Sequence, residues 1–191
     1  MGATAYIDES LRAGVGLYVI GAVIVSPRNE EPVRKALVMR FRQGGRLVHF
    51  HWRNEAGGRR EEMARVLVDL DLELHAYVCA GVPKRQMPRA RALCLEALVW
   101  DQRSQDTTRL LLETREEHND RVDRRTIAGA KSGRRASAAL SYDFGHRDTE
   151  PLLWLPDALA GIVASARLEG SPSDHLETLG GALAIHEVRY R

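Results

Sequence analysis

Residues 3–8 (ATAYID) make a short apolar run, and residues 16–25 (GLYVIGAVIV) make a longer one that is β-branched and almost uninterrupted. An uninterrupted run of this kind suits a strand covered on both faces. The short link between the two predicts an antiparallel hairpin. After Pro27 and Asn29, residues 30–42 (EEPVRKALVMRFR) read as a helix with Pro32 in its first turn, where its missing N–H removes no hydrogen bond. Residues 44–52 (GGRLVHFHW) read as a short extended segment, and apolar residues recur at helical spacing from Gly58 to the end of 53–71. Residues 72–82 return to strand character, closed by Pro83 and Pro88. The helix of 90–105 shows Leu93, Ala97 and Trp100 on one face. A short strand at 107–114, a polar helix at 116–136 and a strand at 139–145 follow. A last helix starts near Pro156 and stops near Gly170; residues 171–181 read as loop or short helix, and 182–190 fit either an extended or a helical tail. Two strands, a helical insertion and then alternating strands and helices predict an α/β fold, with a mixed sheet flanked by helices on both faces.

Composition narrows the class without choosing a function. A chain of 191 residues buries roughly two thirds of its unfolded surface and needs no staples. Cys79 and Cys94 lack CxxC spacing, which fits a reducing compartment and a cytoplasmic protein. The longest apolar run, 15–25, is too short to span a bilayer, no signal peptide is read at the start, and no membrane association is expected. Only Lys35, Lys84 and Lys131 are lysines among 28 basic residues, a bias that carries no ligand information. Local clustering says more: Arg121, Arg124, Arg125, Lys131, Arg134 and Arg135 stand against the single acid Asp123. Such a run is either the solvated face of a helix or a nucleic-acid contact.

The acids fall at informative places. Asp8 closes the first apolar run, Glu113 directly follows three leucines, Asp157 begins the last helix and Glu96 sits mid-helix between Leu95 and Ala97. Each also has an ordinary structural use, as a hairpin residue, a helix cap, a partner for the helix dipole or a solvent-facing side chain. Gathered together, they would repel and raise one another's pKa. A cluster of oxygen donors suits Mg²⁺ or Mn²⁺.

YIDES at 6–10 followed by GLYVIGAVIV, LVHFHW at 47–52, LLLETR at 110–115 and LLWLPDALAG at 152–161 together resemble a bacterial family of the RNase H-like superfamily, domain of unknown function 3800. That family opens with Tyr-Ile-Asp-Glu-Ser-Gly, continues with a His-Phe segment and an acidic strand end, and closes with an Ala-Asp-Leu helix. His49, Phe50, Glu113 and Asp157 fall on those motifs in order. The sequence departs from the pattern at Leu11 for Gly, Leu47 for Glu, Glu113 for Asp and Pro156 for Ala.

The resemblance implies a single RNase H-like domain over 1–191, with a helical insertion at 28–71 and a C-terminal extension at 171–191. It implies a nuclease hydrolysing phosphodiester bonds in RNA or DNA. Asp8, Glu113 and Asp157 would be the carboxylates of a two-metal site, with Asp8 bridging and Mg²⁺ or Mn²⁺ as the ion. Glu96 is a candidate fourth acid that the resemblance does not fix, and Glu9 alternates to the other side of its strand as a structural residue. His49 and His51, two apart, share a face on a strand; both are structural residues, or His49 shuttles protons or contacts phosphate. Two other readings stay open: a non-catalytic RNase H-like module binding nucleic acid or protein through 121–135, and a metal-dependent hydrolase of a small phosphorylated substrate.

Overall fold

A computed structural model describes residues 2–70, 72–101, 106–132, 140–169 and 174–190. Its strands are β1 (Ala3–Arg12), β2 (Leu17–Val25), the two-residue strands β3 (Arg42–Gln43) and β4 (Arg46–Leu47), β5 (Glu73–Cys79), β6 (Thr107–Glu113), β7 (Ser141–Gly145) and β8 (Leu183–Glu187). Its helices are α1 (Glu30–Arg40), α2 (Gly57–Asp69), α3 (Met87–Asp101), α4 (Glu117–Ser132), α5 (Trp154–Glu169) and α6 (Asp174–Leu179). Six strands form one mixed sheet in the order β7-β6-β1-β2-β5-β8. β1, β2 and β5 run antiparallel as a meander, while β6, β7 and β8 lie parallel to their neighbours.

Period-two alternation splits the core into two layers. Tyr6, Val19, Val23 and Leu111 face α1, α2, α5 and α6. Ala5, Ile7, Ile20, Leu110 and Leu112 face α3 and α4. β2 is buried at all of its positions, which explains its uninterrupted apolar sequence. The α/β architecture read from the sequence, a mixed sheet with helices on both faces, is the observed one.

Two local expectations change and one open reading is resolved. β1 does not stop at Asp8: its pairing with β2 continues from Asp8↔Gly21 to Arg12↔Leu17, so Asp8 lies inside a ladder rather than at a turn. α3 buries Ala90, Cys94, Leu95, Leu98 and Val99, leaving Trp100 45% exposed. Its apolar residues go nearly all the way round, so the sequence alone favoured the wrong stripe. The undecided tail is β8, an edge strand paired with β5. Cys79 and Cys94 are both buried and free.

α5 is the most apolar helix. The stretch Pro151–Leu168 has the length and composition of a membrane span, yet 83% of it is buried inside the protein. It crosses β1 and β2 closely because of Gly21: a Cβ there would stand 2.5 Å from the Pro156 carbonyl oxygen and 3.0 Å from the Ala160 nitrogen. Gly21 pairs with Asp8, and Pro156 precedes Asp157. The missing side chain therefore draws the first turn of α5 down onto the middle of β1.

Candidate active site

Asp8, on the even-numbered face of β1, points to the α5 side and is buried. Glu113, the last residue of β6, lies one position beyond the Ile7↔Leu112 pair, so the parallel register sets it beside Asp8. Asp157 enters from above in the first turn of α5. All three are buried and line one pocket of about 400 Å³. Elements far apart in the chain thus deliver the three acids to one place at the carboxyl end of β6, the edge where open α/β sheets hold ligands.

Asp157 is held by more than its helix. Its Oδ2 accepts the backbone N–H of Trp52 at 2.8 Å and lies 3.2 Å from His51 Nδ1. Trp52 is fixed in turn. Its ring occupies the space over Gly161, where a Cβ would come within 2.1 Å of the indole. The Arg60 guanidinium lies 4.8 Å from the ring centroid and also donates to the Trp52 carbonyl.

Between the carboxylates sits Arg147. Its Nε and Nη2 donate to the two Glu113 oxygens, Nη2 lies 3.3 Å from Asp8 Oδ2, and Nη1 is 3.7 Å from Asp157 Oδ2. Nη1 also lies 2.6 Å from His51 Nδ1. That ring nitrogen can accept from Arg147 or donate to Asp157, and one tautomer cannot do both. Burial works against the Arg147 cation, but Glu113, Asp8 and Asp157 outweigh it and raise its pKa. Burial, followed by Glu113, Glu9 and Asp157, pushes the Asp8 carboxyl well above its ordinary range. One cation therefore does not fully compensate the three acids around it.

All-carboxylate oxygen donors match the chemistry of Mg²⁺ or Mn²⁺. Among the described residues, however, no group of three or more His, Cys, Asp or Glu side chains stands ready to hold a metal ion, and the Arg147 guanidinium pairs with all three acids. The donor set fits a hard divalent cation once Arg147 moves away.

Other candidates lie elsewhere. Glu96 is on α3, whose helix covers the opposite face of the sheet, and it does not line the pocket. The His49–His51 segment is not a strand, and the two rings take different partners: His49 Nδ1 pairs with Asp148 at 3.2 Å, while His51 reaches Asp157. His51 lines the pocket and His49 does not. Glu9, on the opposite face from Asp8, pairs with buried Arg91 at 2.7 Å, and Arg91 is chelated by Asp123.

Arg121, Arg124, Arg125 and Lys131 lie on α4, which is packed on α3 away from the pocket. Arg121 reaches Glu117 at 4.0 Å, Arg124 lies 4.6 Å from the Phe144 ring centroid, Arg125 is exposed and Lys131 donates to the Leu140 carbonyl. Arg134 and Arg135 fall outside the described residues. The basic residues that do line the pocket are Arg12, Arg53, Arg115 and Arg147. Burial, then the charges of Arg53 and Arg60, lower the Arg12 pKa, and Arg12 and Arg53 share the pocket with the acids. The sequence marks His51 only as half of a histidine pair and does not mark Arg147 at all. Arg147 falls two residues past the end of β7, the parallel neighbour of β6, and so at the same sheet edge as Glu113.

No family model matches the chain, and no curated protein matches it. Among solved structures, it is similar to one of the PCNA:RNase HII complex from Archaeoglobus fulgidus, with a TM-score of 0.58 and 18% identity. The match covers 88% of this chain and 75% of that one. At such low identity the likeness speaks for the fold alone, and the chain has the mixed α/β architecture of an RNase H-like fold.

Proposed function

We propose that the chain is a divalent-metal-dependent nuclease, hydrolysing phosphodiester bonds in RNA or DNA, with Asp8, Glu113 and Asp157 as the ligands of Mg²⁺ or Mn²⁺. The observation that supports it best is the meeting of three buried carboxylates from β1, β6 and α5 in one pocket of an RNase H-like sheet. Bound divalent ions would supply activation of water and stabilisation of the leaving oxygen. The chain's own residues would do the rest. Trp52 N–H holds the Asp157 carboxylate in orientation. Arg12 and Arg53 form a cationic rim of the pocket beside it, suited to the phosphates of a strand crossing the pocket. We also place the chain, as one domain over 1–191, in the family of domain of unknown function 3800, on the YIDES, LVHFHW, LLLETR and LLWLPDALAG motifs.

A second reading, a non-catalytic nucleic-acid- or protein-binding module, draws support from Arg147, which pairs with all three carboxylates from within the protein. The deciding experiment incubates the protein with labelled single- and double-stranded RNA and DNA, in Mn²⁺ or in chelator. Cleavage that requires Mn²⁺ and is lost in the Asp8→Asn/Asp157→Asn double variant is expected. Cleavage that survives both substitutions refutes the site; binding without any cleavage favours the module.

A further inference from the structure

Arg147 is the feature that the proposed chemistry leaves unused. Its side chain lies where the three carboxylates converge, bonded to Glu113, Asp8 and His51 and paired with Asp157. A guanidinium has donors only and remains charged at any pH a protein tolerates. It cannot share the carboxylates with a divalent ion: it contributes no ligand, and the two cations repel.

The backbone beneath it is fixed. The Arg147 carbonyl accepts from Trp154 Nε1 at 3.0 Å, and the Thr149 and Glu150 N–H groups donate back to the His146 carbonyl at 3.0 and 2.9 Å. Any rearrangement is therefore a swing of the side chain. That side chain is 21% exposed and lines the open pocket, alongside Arg12 and Arg53. A side chain that leaves the carboxylates has the pocket to move in.

We propose that Arg147 is a two-position residue: a counter-ion for Asp8, Glu113 and Asp157 while no metal is bound, and a ligand of the substrate's phosphate once a metal has displaced it. The inference rests on the nuclease reading and adds an order to it. Metal and nucleic acid assist each other's binding, because the phosphate gives the evicted guanidinium an anion in place of the three it has lost. Its departure also frees His51 Nδ1 to donate to Asp157, resolving the competition at that nitrogen.

The test has two readouts that do not depend on turnover. Mn²⁺ is titrated into the unaltered protein, R147A, R147Q and D8N, with free Mn²⁺ read by electron paramagnetic resonance. Binding of labelled single strands of RNA and DNA, about twelve nucleotides long, is then followed by fluorescence anisotropy in Ca²⁺. R147Q keeps most of the side chain's volume, and a thermal melt of each variant establishes that it is folded. Loss of the charge-assisted bonds that hold the guanidinium is expected to tighten Mn²⁺ binding roughly tenfold or more in R147A and R147Q. Strand binding in Ca²⁺ should weaken by roughly fivefold or more, and addition of strand should tighten Mn²⁺ binding only where Arg147 is present.

Equal Mn²⁺ affinity in the unaltered protein and both Arg147 variants, with D8N binding none, overturns the exchange and leaves the metal site standing. Mn²⁺ binding that D8N does not weaken overturns both the exchange and the metal site. Strand affinity unchanged in R147A overturns the phosphate-ligand position.

Discussion

Gly21→Ala tests whether close approach of α5 to the sheet is what assembles the site. The added Cβ would stand 2.5 Å from the Pro156 carbonyl oxygen, where ordinary contact begins at 3.4 Å, so α5 must retreat by about 0.9 Å. Both obstructing atoms, the Pro156 oxygen and the Ala160 nitrogen, are backbone, and no rotamer change relieves them. Overpacking of this kind costs about 1–3 kcal/mol. Relief of glycine's extra chain entropy returns about 0.5–1 kcal/mol. The net loss, roughly 0–2.5 kcal/mol with its centre near 1 kcal/mol, lowers the urea midpoint by roughly 0.5 M at an m-value near 2 kcal/mol/M.

The functional effect should exceed the effect on stability. Asp157 follows Pro156 directly, so the helix carries this carboxylate away from Asp8, while Asp8 stays in its ladder opposite position 21. A misplacement near 1 Å at a reacting centre costs about 10²-fold in rate. Urea unfolding, Mn²⁺ titration and cleavage of a labelled strand measure the three consequences separately. Gly14→Ala is the control, since nothing lies within 4 Å of a Cβ there, and it should match the unaltered protein in all three. A G21A protein with unchanged midpoint, Mn²⁺ affinity and cleavage would refute the claim that this glycine sets the carboxylate geometry.

Two further outcomes are expected. Arg12→Gln with Arg53→Gln should weaken single-strand binding in chelator and reduce its salt slope by about 0.7 per lost phosphate contact, whereas Arg121→Gln with Arg125→Gln, on the outer face of α4, should change neither; anisotropy between 50 and 200 mM salt distinguishes the pairs, and the reverse ranking would move the strand's path to α4. His186 lies between His75 at 3.0 Å and Asp101 at 3.1 Å and stacks on Tyr77 at 4.6 Å. Burial lowers its pKa below 6.5 against the pull of Asp101, with His75 adding to the lowering. The unfolded chain then takes up a proton that the folded one resists, so stability should fall as the pH drops below 6.5 and level off beneath the folded value. Melting temperatures from pH 8 to 5 for the protein and His186→Phe check this, and an equal acid sensitivity in both would assign the effect to another group.

What could be read from the sequence depended on whether the cause was local. Alternation along β1 and the unbroken apolar run of β2 are properties of neighbouring residues, and they led to a hairpin buried on both sides. The same alternation separated Asp8 from Glu9 correctly: Asp8 faces α5, and Glu9 pairs with Arg91 under α3. Asp8, Glu113 and Asp157 could be named because each stands at a recognisable point in a motif, although the motifs do not state the geometry that brings them together. Glu96 had no such support; its place between Leu95 and Ala97 fixed only a position on a helix, and the choice of sheet face for that helix is tertiary. The apolar stripe of α3 was misread for a related reason, since a helix that is apolar nearly all round does not reveal which stripe meets the sheet.

Arg147 and Gly21 show the deeper limit. Arg147 lies in no motif, Gly21 is one position inside an apolar run, and each matters through a contact more than 100 residues away in sequence: Arg147 with Asp8, Gly21 with Pro156 and Ala160. A glycine inside a strand signals close approach of some backbone without saying whose. An arginine after a strand signals a cation at the sheet edge without saying which anions it meets. Together they set the two properties on which the proposed chemistry turns, the spacing of the carboxylates and the charge placed between them. An acidic motif is therefore not in itself a metal site, and on the proposed reading the step from one to the other runs through the side chain of Arg147.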